Sequence, residues 1–188
     1  MKKIFAIIGI IGGSFLLVVL LGFTSGSGPG SASGPQAYLG AALEPIGAPN
    51  FSLERLGGGI ISLSDYRGKK PVVLDFWASW CPNCRRDMPN LNRFYEKYKD
   101  QVEVIGINLQ ESERTVEKFI ASRDISFPIV LDPGGEASRI YGIRYTNTHF
   151  LIDKDGNLAR EIPGDISEAD VKSLISSKKF SGRSKVGK

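Results

Sequence analysis

The chain has 188 residues, with 24 basic and 20 acidic side chains, two cysteines and one histidine. Seven of the basic residues sit at the two ends, which leaves 17 against 20 acidic ones, about −3, in the central portion. The overall basic character is therefore no argument for a nucleic-acid partner. Two cysteines and one distant histidine also fall short of the four ligands of a structural zinc site.

After Lys2 and Lys3, the uncharged run Ile4 to Phe23 would span roughly 30 Å as a helix, the thickness of a bilayer's hydrocarbon core. Residues 1–23 are expected to form an uncleaved signal-anchor, with the lysines keeping the amino terminus in the cytoplasm. A cleaved signal peptide is the alternative, because the small residues downstream could hide a cleavage site. Residues 24–44, mostly Gly, Ser, Pro and Ala at first, read as a flexible linker.

Residues 45–177 are enough for one core. Phe51 to Leu53 and Ile60 to Leu63 read as short strands around Gly57-Gly58-Gly59, followed by a polar turn through Asp65 and Gly68. Val72 to Trp77 is apolar almost throughout, as expected of a strand covered on both faces. A helix with Met88, Leu91, Tyr95 and Tyr98 at helical spacing follows, and Pro89 within it removes one backbone bond. Val102 to Leu109 is a strand, Ser112 caps a helix burying Val116, Phe119 and Ile120, Phe127 to Leu131 is another strand, and a short helix ends at Gly142. His149 to Asp153 and Asn157 to Ile162 flank the turn Lys154-Asp155-Gly156. Ser167 and Asp170 make a capping box for a last helix with Val171, Leu174 and Ile175 inward. Residues 178–188, with Lys178, Lys179, Arg183, Lys185 and Lys188 and no acid, read as a disordered basic tail that could also touch anionic lipid. The alternation of strands and helices implies an α/β domain, a mixed central sheet with helices on both faces.

Cys81 and Cys84 fall where the Val72 to Trp80 run gives way to a helix. An i to i+3 pair on a first helical turn meets the spacing a disulfide needs, and Pro82 suits that turn because its missing N–H has no helical partner there. The positive end of the helix favours a thiolate, so Cys81 is expected to attack and Cys84, further in, to resolve the mixed disulfide. The direction of electron flow depends on the thiolate and on the Pro82-Asn83 dipeptide between the sulfurs. Covalent haem attachment would need histidine where Arg85 stands, and so short a bridge would constrain an unfolded chain little. Reactive groups belong at the carboxyl ends of the parallel strands, where Cys81, Gln110 and Glu111 fall.

The segment Asp75-Phe76-Trp77-Ala78-Ser79-Trp80-Cys81-Pro82-Asn83-Cys84, continued to Pro89, resembles the active-site segment of the thioredoxin superfamily. With Leu63-Ser64-Asp65-Tyr66-Arg67-Gly68-Lys69, Phe127-Pro128-Ile129 and Phe150-Leu151-Ile152-Asp153-Lys154-Asp155-Gly156, it resembles the membrane-anchored TlpA/ResA-like branch. The resemblance implies a thioredoxin-like fold behind an amino-terminal transmembrane helix. It also implies thiol:disulfide exchange outside the cytoplasm, often as a reductant in cytochrome c maturation.

The same resemblance makes Asp75 the buried acid that relays a proton to and from Cys84, and Asp87 and Glu111 possible acid/base groups near the pair. Asp87 could equally be a solvated helix residue, and Glu111 a charge at a helix amino end. Trp80 would offer an apolar surface to substrates. The family's cis-proline, which faces the cysteines in a Thr-Pro-Thr setting, is replaced by Asn147 between Thr146 and Thr148. A cis bond there would cost about 2.5 to 4 kcal/mol, so a trans bond and altered substrate contacts at Thr146 and Asn147 are expected.

The expected partners are protein thiols and disulfides outside the cytoplasm and a membrane electron donor or acceptor, with no cofactor beyond the redox-active disulfide, no resident metal and a monomeric chain on the cell membrane. Two other functions compete. A copper-handling protein would use the Cys81 and Cys84 thiolates with His149. A peroxide-reducing redoxin would want its cysteine in a Pro/Thr-rich loop, unlike Cys81.

Overall fold

The computed structural model describes residues 46–176. The expected anchor 1–23, linker 24–44 and tail 178–188 lie outside the described residues. Among the described residues no helix is long and apolar enough to cross a membrane.

Strands β1 (Ser52–Arg55) and β2 (Ile60–Ser62) form an antiparallel hairpin. Its turn runs through three glycines with positive φ, a conformation other residues reach only with strain. The polar stretch after β2 winds into a 3₁₀ turn, Leu63–Tyr66. Then come β3 (Val72–Trp77), α1 (Pro82–Tyr98), β4 (Glu103–Leu109), α2 (Glu113–Ala121), β5 (Ile129–Asp132), α3 (Glu136–Ile140), β6 (Thr148–Ile152), β7 (Leu158–Pro163) and α4 (Glu168–Ser176).

Two boundaries move for identifiable reasons. β5 starts at Ile129 rather than Phe127, after a proline that has no N–H to give to a ladder. β1 starts at Ser52, and Phe51 instead accepts from Leu63 N through its carbonyl while its ring packs on Tyr141. The expected caps are present. Ser112 Oγ accepts from Thr115 N, and Ser167 and Asp170 exchange side-chain to backbone bonds at the start of α4.

The seven strands lie in the order β2-β1-β5-β4-β3-β6-β7. β3, β4 and β5 are parallel, and β6 returns antiparallel beside β3. Both crossovers step the same way along the sheet, so α1 and α2 share one face, where α4 joins them. That face holds Val73, Trp77, Cys84, Met88, Leu91, Val116, Phe119, Leu151, Val171 and Leu174. The alternate residues Leu74, Phe76, Ile105, Ile107, Phe150 and Ile152 pack on the other face with the β1–β2 hairpin and with Ala137 and Tyr141 of the α3 region. Strand alternation therefore sends Asp75, of the same parity as Val73 and Trp77, beneath α1.

Candidate active site

β3 ends at Trp77, and four residues later α1 begins with Cys81 as its N-cap and Pro82 in the first turn. Cys81 and Cys84 are disulfide-bonded, their Cα atoms 5.3 Å apart. Cys81 Sγ accepts from Cys84 N at 3.2 Å, the place in which a thiolate would be held by the helix amino end. Cys84 is wholly buried and Cys81 nearly so.

The loop that presents Cys81 is pinned from β4. Glu111 accepts from Ser79 N at 2.6 Å, from Ser79 Oγ at 2.5 Å and from Asn108 Nδ2 at 2.8 Å, while Asn108 Oδ1 accepts from Glu111 N at 3.3 Å. Both carboxylate oxygens are engaged, so Glu111 acts as a positioning residue for the Ser79-Trp80 step. Asn108 and Ser79 are partners that the sequence reading missed. A polar residue near the end of an otherwise apolar strand was the available signal.

Beside the cysteine turn opens a cleft of about 770 Å³ lined by its residues Trp80 and Asn83 and by Leu109, Gln110, Ser138, Ile143, Arg144, Tyr145 and Thr146. Trp80 is 65% exposed and Tyr145 74% exposed, two aromatic surfaces bordering one groove. Trp80, Asn83 and Thr146, three of the residues proposed to meet a substrate, thus line one groove, with Pro82 on the helix beside them. Ile143, Arg144 and Tyr145 were not foreseen.

Asn147 lies behind that groove. No peptide bond among the described residues is cis, and Asn147 has φ 61°. Its N–H donates to Phe76 O at 2.9 Å, its carbonyl accepts from Gly164 N at 2.7 Å and its Nδ2 donates to Asp165 Oδ1 at 3.1 Å. Asparagine tolerates the left-handed region better than most side chains, which suits it to this turn. Its backbone is committed to its own sheet, and Thr146 is the neighbour left facing the cleft.

Beneath Cys84 lies a cluster of ionisable groups. Asp75 and His149 are direct cross-strand partners of β3 and β6, and each is 1% exposed. Asp87 reaches the same point from α1, one turn beyond Cys84, and is also 1% exposed, so the alternative of a solvated helix residue is corrected. The buried i to i+3 face of the helix carries both residues inward. His149 Nε2 stands 3.3 Å from Asp75 Oδ1 and 3.5 Å from Asp87 Oδ2. Burial holds the Asp75 carboxyl well above the usual range, with the Asp87 charge adding to it. Burial likewise raises Asp87 to about 6, although Ile166 N donates to it at 3.2 Å. Burial lowers His149 to about 4. The contacts would be ion pairs with a charged ring, but desolvation dominates and the ring is neutral.

His149 does not join the cysteines. Its Nδ1 lies 3.0 Å from Gly164 O and its Nε2 faces the two carboxyls, so neither nitrogen is free for a soft ion held by Cys81 and Cys84. Among the described residues no group of three or more His, Cys, Asp or Glu side chains could hold a metal ion. The copper-handling arrangement with His149 is therefore corrected.

The AhpC/TSA family pattern matches residues 47–161, well over half of the chain. The chain belongs to the AhpC/TSA family, within the thioredoxin-like proteins. Over 129 residues it is 40% identical to thiol-disulfide oxidoreductase ResA of Bacillus thuringiensis, a match covering 68% of this chain and 74% of that relative. Among solved structures, a thiol:disulfide interchange protein of the thioredoxin family from Chlorobium tepidum superposes with a TM-score of 0.65 at 27% identity, covering 72% of this chain and 97% of that one. StoA from Bacillus subtilis gives 0.60 at 30% identity, covering 69% and 98%. The fold is thioredoxin-like, and this family member is a thiol:disulfide oxidoreductase whose bonded Cys81–Cys84 pair is the redox group.

Proposed function

We propose that the enzyme exchanges disulfides with protein thiols outside the cytoplasm, held on the membrane by the apolar run 4–23 and spaced from it by the linker, with residues 178–188 as a basic tail. Cys81 attacks the substrate sulfur, and Cys84 resolves the mixed disulfide. Asp75 takes the proton that Cys84 must lose. Trp80, Asn83 and Thr146 border the groove in which a substrate chain would lie. The observation that carries the reading is the Cys81–Cys84 bond at the amino end of α1, whose chain neighbours Trp80 and Asn83 line a cleft with two exposed aromatic rings. The likeness to a thiol-disulfide oxidoreductase supports the exchange reaction itself, and reduction of partner proteins, as in cytochrome c maturation, is the direction the TlpA/ResA-like resemblance implies.

The test is capture. Cys84→Ala, expressed in the full chain in its own membrane, should accumulate mixed disulfides on Cys81 with specific extracytoplasmic proteins, identified after gel separation under non-reducing conditions. An empty trap, with the wild-type pair fixed in one oxidation state, defeats the proposal. Peroxide consumption by the reduced chain, far faster than its protein disulfide exchange, would instead favour a peroxide-reducing role.

A further inference from the structure

A buried His149 between two carboxyls has no task in exchange as just described. Its Nδ1 faces a carbonyl, Gly164 O at 3.0 Å, which can only accept, so Nδ1 carries a proton. In the neutral ring Nε2 is then a bare lone pair. It points at Asp75 Oδ1 and Asp87 Oδ2, both also acceptors if ionised. Three acceptors cannot face one another in a dry site, so at least one further proton must be shared among them. Neither oxygen of Asp75 and only one of Asp87 completes a hydrogen bond elsewhere, which leaves the carboxyls free to take part.

We propose that Asp75, His149 and Asp87 form one proton-holding unit beneath Cys84, in which His149 is the positioning residue that shares the proton between the two carboxyls as the cysteine pair changes oxidation state. This rests on the exchange reaction proposed above and deepens it.

The chemistry needs such a store. The Cys81 thiolate attacks a substrate disulfide, forms the Cys81–substrate bond and expels one substrate sulfur as thiolate. Cys84 must then lose its S–H proton, bond to Cys81 Sγ and expel the second substrate sulfur. Two electrons pass from the cysteine pair to the substrate disulfide. The Cys84 sulfur is buried, so its proton goes to a neighbouring base and not directly to water. In the reduced enzyme the unit holds one shared proton, and in resolving it takes a second. It returns to one when a released substrate thiolate, through water, removes the proton. Asp87, on the helix face of Cys84, and Asp75, on the strand that leads to Cys81, are thereby made interchangeable acceptors. The other charged groups near the unit are Asp165, in the loop after β7, and Arg86 on α1, which pair with each other at 2.8 Å. They raise and lower Asp87 respectively, and Asp165 favours a charged His149. The lowered His149 and raised carboxyls agree with a proton residing on the carboxyl side.

His149 is the only histidine of the chain, so its two ring nitrogens can be read without ambiguity. In the full chain, labelled with ¹⁵N-histidine and carrying no histidine tag, the neutral Nδ1–H form is expected near neutral pH. The Nε2 resonance should move between the oxidised and reduced enzyme. His149→Gln keeps volume and an amide but cannot pass a proton. Resolution of a Cys81 mixed disulfide, followed by rapid mixing, should slow by about tenfold near neutral pH, less than loss of a whole general base because Asp75 remains. Its pH–rate profile should lose an inflection, and adding Asp87→Asn should slow it little further. An Nε2–H tautomer, or an Nε2 resonance identical in both oxidation states from about pH 5 to about pH 9, overturns the unit. So does a wild-type pH profile in His149→Gln. The spectroscopy keeps the test decisive should that variant not fold. A wild-type chain that exchanges no disulfides overturns the enzyme reading and this one together, whereas normal exchange with an indifferent His149 overturns the unit alone.

Discussion

Glu111 shows how one carboxylate can serve an active site without touching the chemistry. It takes three hydrogen bonds from Ser79 and Asn108 and so fixes the step before Trp80 and Cys81. Glu111→Ala leaves those donors without an acceptor, and a lost charged hydrogen-bond partner costs about 1 to 3 kcal/mol. A urea midpoint lowered accordingly is expected, with slower exchange and an unchanged pH–rate profile. A shifted profile would make Glu111 an acid or base after all. Asn147 carries a second expectation. Its φ of 61° and its N–H bond to Phe76 O are both denied to proline, whose φ stays near −65°. Asn147→Pro, which would restore the family's usual residue, is therefore expected to destabilise the chain by about 3 kcal/mol or more in denaturant unfolding. A neutral result would mean that the turn rearranges to the family form.

Among the elements, α3 is too short to stand by itself and depends on a single buried carboxylate. Asp132, at the end of β5, accepts from Glu136 N at 2.6 Å, Ala137 N at 3.3 Å, Ser138 N at 2.9 Å and Ser138 Oγ at 2.5 Å. Helix propensity contributes little in one turn and a half, so this cap and the packing of Ala137 and Tyr141 hold the segment. Asp132→Ala is expected to lower stability by about 1 to 3 kcal/mol. Hydrogen exchange should quicken first at residues 136–142, and an unaltered α3 would show that packing alone suffices. Close packing also fixes an element on the other face. A Cβ on Gly106 of β4 would sit 2.6 Å from Ile129 Cδ1 and 2.9 Å from Phe127 Cε2, so glycine there lets β4 lie under two bulky residues.

For the molecule as a whole, the buried ionisable cluster shapes stability against pH. His149, held at about 4 against an ordinary 6.5, leaves the unfolded chain binding the extra proton between those values, so it favours unfolding as pH falls. Asp87, raised from 3.8 to about 6, binds its proton in the folded chain over nearly the same window and opposes that loss. Asp75 contributes stability that is fully present below 3.8 and is lost as pH rises through its raised folded value. With the His149 and Asp87 contributions nearly cancelling, the melting temperature of the oxidised chain should therefore decline as pH rises from 3.8 towards the raised Asp75 value. Asp75→Asn, which carries no charge at any pH, should flatten that decline. A steep fall in acid for the wild type would show that His149 and Asp87 do not compensate.

The order of strands and helices, the caps at Ser112 and Ser167, and the reactive pair at the head of α1 follow from local rules of period, capping and turn chemistry, which act over a few neighbouring residues. These are legible in the sequence. The sequence offers His149 only as a candidate metal ligand and leaves Asp87 between an acid/base group and a solvated helix residue, because their meeting depends on β6 returning beside β3 with one particular register and on α1 crossing above both. The same holds for Glu111 on Ser79, 32 residues apart in the chain, and for Tyr145 and Trp80 lining one cleft. Covalent neighbours and helical or strand period place a side chain on a face. Which charges share a dry interior, and so which protons they must share, is set by packing between segments far apart in the chain.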